Sequence, residues 1–154
     1  MNAARTLVII PAYNEAENIA EVVTRATAHA PVLVVNDGSK DRTGEIAEAL
    51  PNCRVIHHEK NTHIPGAILD GFRFALAEGY DYAVTMDAGL SHDPSLIASL
   101  IEQPDADLVL SYRPSPKNVP LYRKALSKTA AHLVNLAIRQ PRWKVWQRGF
   151  RDVT

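Results

Sequence analysis

The single cysteine, Cys53, excludes an internal disulfide and fits a reducing cytoplasm. A surplus of either charge is missing too. Seventeen basic and seventeen acidic side chains cancel, so no overall field draws the chain to nucleic acid, and no such partner is expected. Long apolar runs are absent: TLVII near the start is too short for a signal-peptide core or a membrane span, and nothing later approaches one. No GxGxxG or GxxxxGK(S/T) follows any apolar run, which leaves a dinucleotide fold or a P-loop without support. Without a glycine cradle, phosphates would have to be held by a cation and basic side chains. The six histidines (His29, His57, His58, His63, His92 and His132) match no zinc spacing, and His57-His58 read as a surface loop after a strand. Repeats, low-complexity tracts and Gly/Ser linkers are also missing. At 154 residues the chain reads as one domain, 1–154.

What is present is alternation. TLVII, VLVV, RVIH, YAVTM and DLVLS, starting at Thr6, Val32, Arg54, Tyr82 and Asp107, are short runs rich in β-branched residues. Their continuity predicts strands covered on both faces. Helical patterns lie between them. Ile19, Val22, Val23 and Ala26 follow the i, i+3, i+4, i+7 spacing, and Ile68, Leu69, Phe72, Ala75 and Leu76 predict the buried face of a second helix. Asp93-Pro94 reads as the cap and first residue of a third. The fold class expected is therefore α/β, a mainly parallel sheet with helices on both faces. Ligands of such sheets bind beyond the carboxyl ends of the strands.

Three strand ends then matter most. PAYNEAEN follows the first strand, where Asn14 or Glu15 can start a helix. NDGSKDRT follows the second: Gly38 permits a tight turn, and Asp41 or Thr43 can cap the next helix. DAGLSHDP follows the fourth, with Asp87 at the strand end and Gly89 two residues on. Each is also a serviceable turn and nothing more.

In order and spacing, VIIPAYNEAENI, VVNDGSKDRT, GAILDGF and YAVTMDAGLSHDP resemble family 2 glycosyltransferases of the GT-A fold. The nearest likeness is the dolichol-phosphate mannose synthase, or polyprenyl-phosphate glycosyltransferase, branch. The resemblance implies that Pro11, Tyr13, Glu15, Asp37, Asp87 and Ala88 bind a nucleotide-diphospho-sugar, with Asp37 on the base or ribose. Asp87 would begin the family's DxD metal motif and serve catalysis by holding Mg²⁺ or Mn²⁺. Here Gly89 replaces the second acid, which leaves half a metal site, still usable because Mg²⁺ takes one or two carboxylates plus substrate phosphates.

Downstream, Arg113 follows the fifth strand in SYRP. Arg123 and Ser127 are four apart on a helical pattern and share one stripe, as do Lys124 and Lys128; a solvated basic face fits that spacing as well as a phosphate site does. The resemblance implies that Arg113, Arg123 and Ser127 hold the acceptor phosphate, with Arg113 and Arg123 catalytic through positioning. The reaction expected is inverting transfer to a polyprenyl phosphate at a membrane surface, by a cytoplasmic protein peripheral to the membrane's cytoplasmic face, with a separate anchoring partner allowed. Transfer to a saccharide hydroxyl, or a nucleotide-sugar-binding remnant without turnover, are the alternatives. The closing RDVT matches the first half of a family segment, which predicts that a C-terminal part is missing relative to the family.

Overall fold

The computed structural model describes residues 5–90 and 93–102, all within one compact unit, residues 1–105. Eight elements alternate: β1 (Thr6–Ala12), α1 (Ile19–Thr27), β2 (Val32–Asn36), α2 (Thr43–Glu48), β3 (Cys53–His57), α3 (His63–Ala77), β4 (Tyr82–Thr85) and α4 (Leu96–Ile101). The strands form one sheet in the order β3-β2-β1-β4, and every pairing is parallel. This is an α/β fold of the kind expected, consistent with GT-A. The fifth predicted strand, at 107–111, and the helix after residue 120 lie outside the described residues.

Side chains alternate across β1 and divide the core in two. Val8, Ile10 and Ala12 pack with Ile19, Val22, Val23 and Ala26 of α1, Ala47 of α2, and Ile97 and Ile101 of α4. Leu7 and Ile9 face the other way, with Leu33, Val35 and Ala67 and Ala75 of α3. Helices therefore cover both faces. Each fully buried aliphatic side chain contributes roughly 1.5–3 kcal/mol, so β1 and β2 carry much of the fold's stability.

Three expectations are corrected. Coverage on both faces holds for β1 and β2 but not for the edge strands: Arg54 and His57 of β3 and Tyr82, Ala83 and Thr85 of β4 are exposed. The face of α3 is also different. Its buried residues are Ala67, Gly71 and Ala75, while Leu69, Phe72 and Leu76 are exposed. The reason is proximity: a Cβ on Gly71 would collide with the Ile9 side chain, so only small residues let this helix lie so near the sheet. The third helix also starts later than expected: α4 begins at Leu96 with Ser95 in the cap position, and Asp93-Pro94 form the turn ahead of it. Asp93 accepts the Ser95 N–H at 3.1 Å and pairs with Arg25 at 2.8 Å, tying that turn to α1.

Gly71→Ala is a test of this close approach. Helix propensity alone favours alanine by about 1 kcal/mol. Overpacking against buried Ile9 should outweigh it, giving a net loss of about 1–2 kcal/mol in urea unfolding. A stabilised variant would show that α3 can retreat from the sheet.

Candidate functional site

The register of β1 against β2 pairs Ala12 with Asn36, so the two strands end level. The loops that follow are bound to each other. Asn14, at a φ of 55°, donates its N–H to Ser39 Oγ at 3.0 Å, and its Oδ1 accepts the Lys40 N–H at 2.8 Å. Glu15 N–H donates to Thr43 Oγ1 at 2.8 Å, and Ala16 N–H to Asp41 Oδ2 at 3.1 Å. Asp41 Oδ1 accepts both the N–H and the hydroxyl of Thr43 at the start of α2. Those bonds, led by the Thr43 hydroxyl, hold the Asp41 carboxyl below its ordinary value against the opposing effect of burial. The first loop delays its helix: Asn14 and Glu15 stay outside α1, which begins at Ile19.

Asp37 sits one residue past β2, with its N–H donated to the Ala12 carbonyl at 2.8 Å. Gly38 follows at a φ of 72°, and a Cβ there would stand 2.8 Å from the Asn61 nitrogen. Asp37 is 4% exposed. Its Oδ1 meets His58 Nδ1 at 2.7 Å and accepts both the N–H and the hydroxyl of Thr62 at 2.8 Å. Burial pushes the Asp37 carboxyl up, but the Thr62 N–H, the His58 ring and the Thr62 hydroxyl together hold it below the ordinary 3.8. It is a carboxylate at neutral pH, nearly out of water.

A cleft of about 580 Å³ opens at these carboxyl ends. Pro11, Tyr13, Glu15, Asp37, Asp87 and Ala88, the six residues expected to bind the donor, all line it, together with Gly89, Asn61 and the first turn of α3. Met86 N–H donates to the Ile9 carbonyl at 3.1 Å, which carries β4's chain alongside β1 and brings Asp87 to the cleft. Asp93 is not among the lining residues. Arg113, Arg123 and Ser127 lie outside the described residues.

Sequence reasoning missed His58. Read as a surface loop, it instead has a side chain only 11% exposed, between Asp37 and Asp70. The available signal was its place just beyond a strand parallel to and paired with the one that delivers Asp37. Another cleft, about 440 Å³, lies at the amino ends of the strands around Leu7, Val32, His29 and Cys53. It is lined by no carboxylate, and burial pushes its Cys53 thiol up to about 11, so it offers no thiolate at neutral pH.

The cation implied by the family resemblance can be set against this donor set. Among the described residues, no group of three His, Cys, Asp or Glu side chains could cage an ion. Asp87 on the cleft, beside open space at Gly89, instead suits a hard cation that keeps waters and takes its other oxygens from a diphosphate.

The depressed carboxyls set a pH dependence with a definite sign. A carboxyl lower in the folded state stabilises fully above its unfolded value, and that contribution is lost as pH falls through the folded value. Thermal unfolding should therefore be insensitive to Asp37 between neutrality and roughly pH 5, then drop in more acid solution. Scans of Asp37→Asn should show a shallower acid drop than wild type; equal drops would mean that Asp37 is not held in its ionised form by folding.

Comparison with known proteins gives this geometry a lineage. Residues 7–149 match the glycosyl transferase family 2 domain. The chain is 41% identical over 140 residues to the polyprenol monophosphomannose synthase of Mycolicibacterium smegmatis, covering 82% of this chain and 53% of that protein. It is 39% identical over 135 residues to the undecaprenyl-phosphate mannosyltransferase of Micrococcus luteus, covering 80% and 56%. With the dolichol-phosphate mannosyltransferase of Pyrococcus furiosus it shares 35% over 145 residues, covering 85% and 40%. The chain spans about half the length of the curated relatives it matches. The segments at the ends of β1, β2 and β4 that line one cleft thus belong to a known architecture, and the chain is a member of glycosyl transferase family 2.

Proposed function

We propose that the cleft binds a nucleotide-diphospho-sugar and that the protein transfers the sugar, with inversion, to a polyprenyl phosphate. The observation that carries this is the convergence of six residues from three strand ends on one cleft, with ionised Asp37 at its inner wall. The names of the relatives, which describe sugar transfer to polyprenol, undecaprenyl phosphate and dolichol phosphate, support the acceptor class.

In this reading Asp37 accepts a hydrogen bond from the nucleoside, while Pro11, Tyr13 and Ala88 shape the wall around it. Glu15 is oriented by its own loop: its Oε2 accepts from Asn18 Nδ2 at 3.1 Å. Asp87 is the residue that would hold Mg²⁺ or Mn²⁺. When bound, the cation offsets charge on the departing diphosphate. An ionised phosphate acceptor needs no strong general base, so transfer relies on positioning. Arg113, Arg123 and Ser127 are the proposed acceptor contacts, since a guanidinium fork meets two phosphate oxygens at once. Among the described residues no helix is long and apolar enough to cross a membrane. The lipid acceptor would be met at the cytoplasmic membrane face, either peripherally or beside a separate anchoring partner. A screen of GDP- and UDP-sugars, scoring binding and transfer to a short polyprenyl phosphate, tests the whole reading; no binding by any donor would overturn it.

The cation assignment has its own test. Asp87→Asn should abolish the Mg²⁺-dependent part of nucleotide-sugar binding, whereas Asp93→Asn should spare it and only loosen α4. A Cβ at Gly89 would meet nothing within 4 Å, so Gly89→Asp should fold normally. It should tighten the Mg²⁺-dependent binding about tenfold, the weight of roughly 1.4 kcal/mol. Calorimetry with no gain for Gly89→Asp and no loss for Asp87→Asn would place the cation elsewhere.

The acceptor assignment separates lipid phosphate from a saccharide hydroxyl. Arg123→Ala should leave donor affinity intact and lower transfer at subsaturating polyprenyl phosphate by about a hundredfold, with partial recovery in Arg123→Lys. Equal use of neutral polyprenol and its phosphate would sink the assignment.

A further inference from the structure

His58 is absent from the lining of the cleft, yet it grips the carboxylate that lines it. Its Nδ1 stands 2.7 Å from Asp37 Oδ1, and its Nε2 stands 3.3 Å from Asp70 Oδ2 on α3. Asp70 Oδ1 in turn accepts from Arg73 at 2.8 Å. With the Thr62 N–H and hydroxyl, three donors fall on Asp37 Oδ1 and none of them on Oδ2. Among the described residues, no buried side-chain oxygen lacks a partner, so Oδ2 keeps some accessible surface, and Asp37 lines the cleft. A carboxylate loaded in this way on one oxygen cannot turn without breaking three hydrogen bonds.

We propose that His58 is a positioning residue for donor recognition: by holding Asp37 Oδ1 it fixes Oδ2 as the acceptor for an N–H or O–H of the nucleoside. This rests on the donor reading of the cleft given above. The rival role is mechanical, with the His58–Asp70 contact merely latching α3 to the end of the sheet. The two roles use different ring nitrogens, and that makes them separable. An asparagine amide nitrogen stands close to where Nδ1 stands, and a glutamine amide nitrogen close to Nε2. His58→Asn therefore keeps the donor to Asp37, and His58→Gln keeps the donor to Asp70.

The experiment measures calorimetric affinity for GMP, UMP, CMP and AMP, taking forward the tightest, with thermal unfolding of each variant alongside. His58→Asn should bind within about threefold of wild type, while His58→Gln and His58→Ala should weaken by about tenfold, the effect of loosening one charge-assisted hydrogen bond. Nucleotide affinity that is unchanged in Gln, or lost in Asn and kept in Gln, overturns the positioning role while the donor reading stands. If His58→Ala fails to fold, the comparison of Asn with Gln still decides. Wild-type protein that binds none of the four nucleotides, or an Asp37→Ala variant that binds as well as wild type, overturns the donor assignment of Asp37 and the positioning role with it.

Discussion

The pairing of Ala12 with Asn36 is the constraint on which the site depends. It ends two fully buried strands at one level, and only then can the loops beyond them share hydrogen bonds through Asn14, Ser39 and Asp41. Register here is strongly enforced, because β1 buries both of its faces. A slip of one residue would exchange Val8, Ile10 and Ala12 with Leu7 and Ile9 across the sheet. The apolar core thus sets the position of the polar groups beyond it. Site and fold are specified together.

Asp37 shows the opposite dependence, of local order on a polar group. An unpaired carboxylate removed from water is strongly unfavourable. Three donors on one oxygen offset that penalty, and all three come from the segment between β3 and α3. The arrangement links the end of β2 to His58, Thr62 and, through Asp70, to a helix on the far face of the sheet. Removing one partner would leave the others with a carboxylate imperfectly satisfied, so the group behaves as a unit.

Much of this was legible from residue order, and the exceptions have physical causes. Ile19, Val22, Val23 and Ala26 are all buried, because a helix resting on a flat apolar sheet obeys the simple period. Helix α3 defeats the same reasoning. Hydrophobicity ranks Leu69, Phe72 and Leu76 above Ala67, Gly71 and Ala75, but the approach to Ile9 selects for small size. The six cleft residues were found through the family resemblance of the segments at the ends of β1, β2 and β4, where the chain leaves the sheet; five lie past a strand end and Pro11 is the next-to-last residue of β1. His58 also lies past a strand end, yet its role depends on a carboxylate 21 residues away that only parallel pairing brings near. Sequence spacing cannot carry that information.

Electrostatics gives the cleft its last requirement. Glu15, Asp37 and Asp87 line it, against His63 as its only basic side chain among the described residues. A diphosphate entering alone would meet carboxylates in a partly desolvated recess, where like charges repel far more than in water. The chain's balanced net charge supplies no compensating field. In the function proposed for this cleft, cation and nucleotide would therefore bind as a coupled pair. Thermodynamic reciprocity follows: whatever factor the cation adds to nucleotide affinity, the nucleotide adds to cation affinity. A single Asp87 carboxylate with glycine two residues on is consistent with that scheme, because it would make the cation a guest of the substrate rather than a resident of the protein.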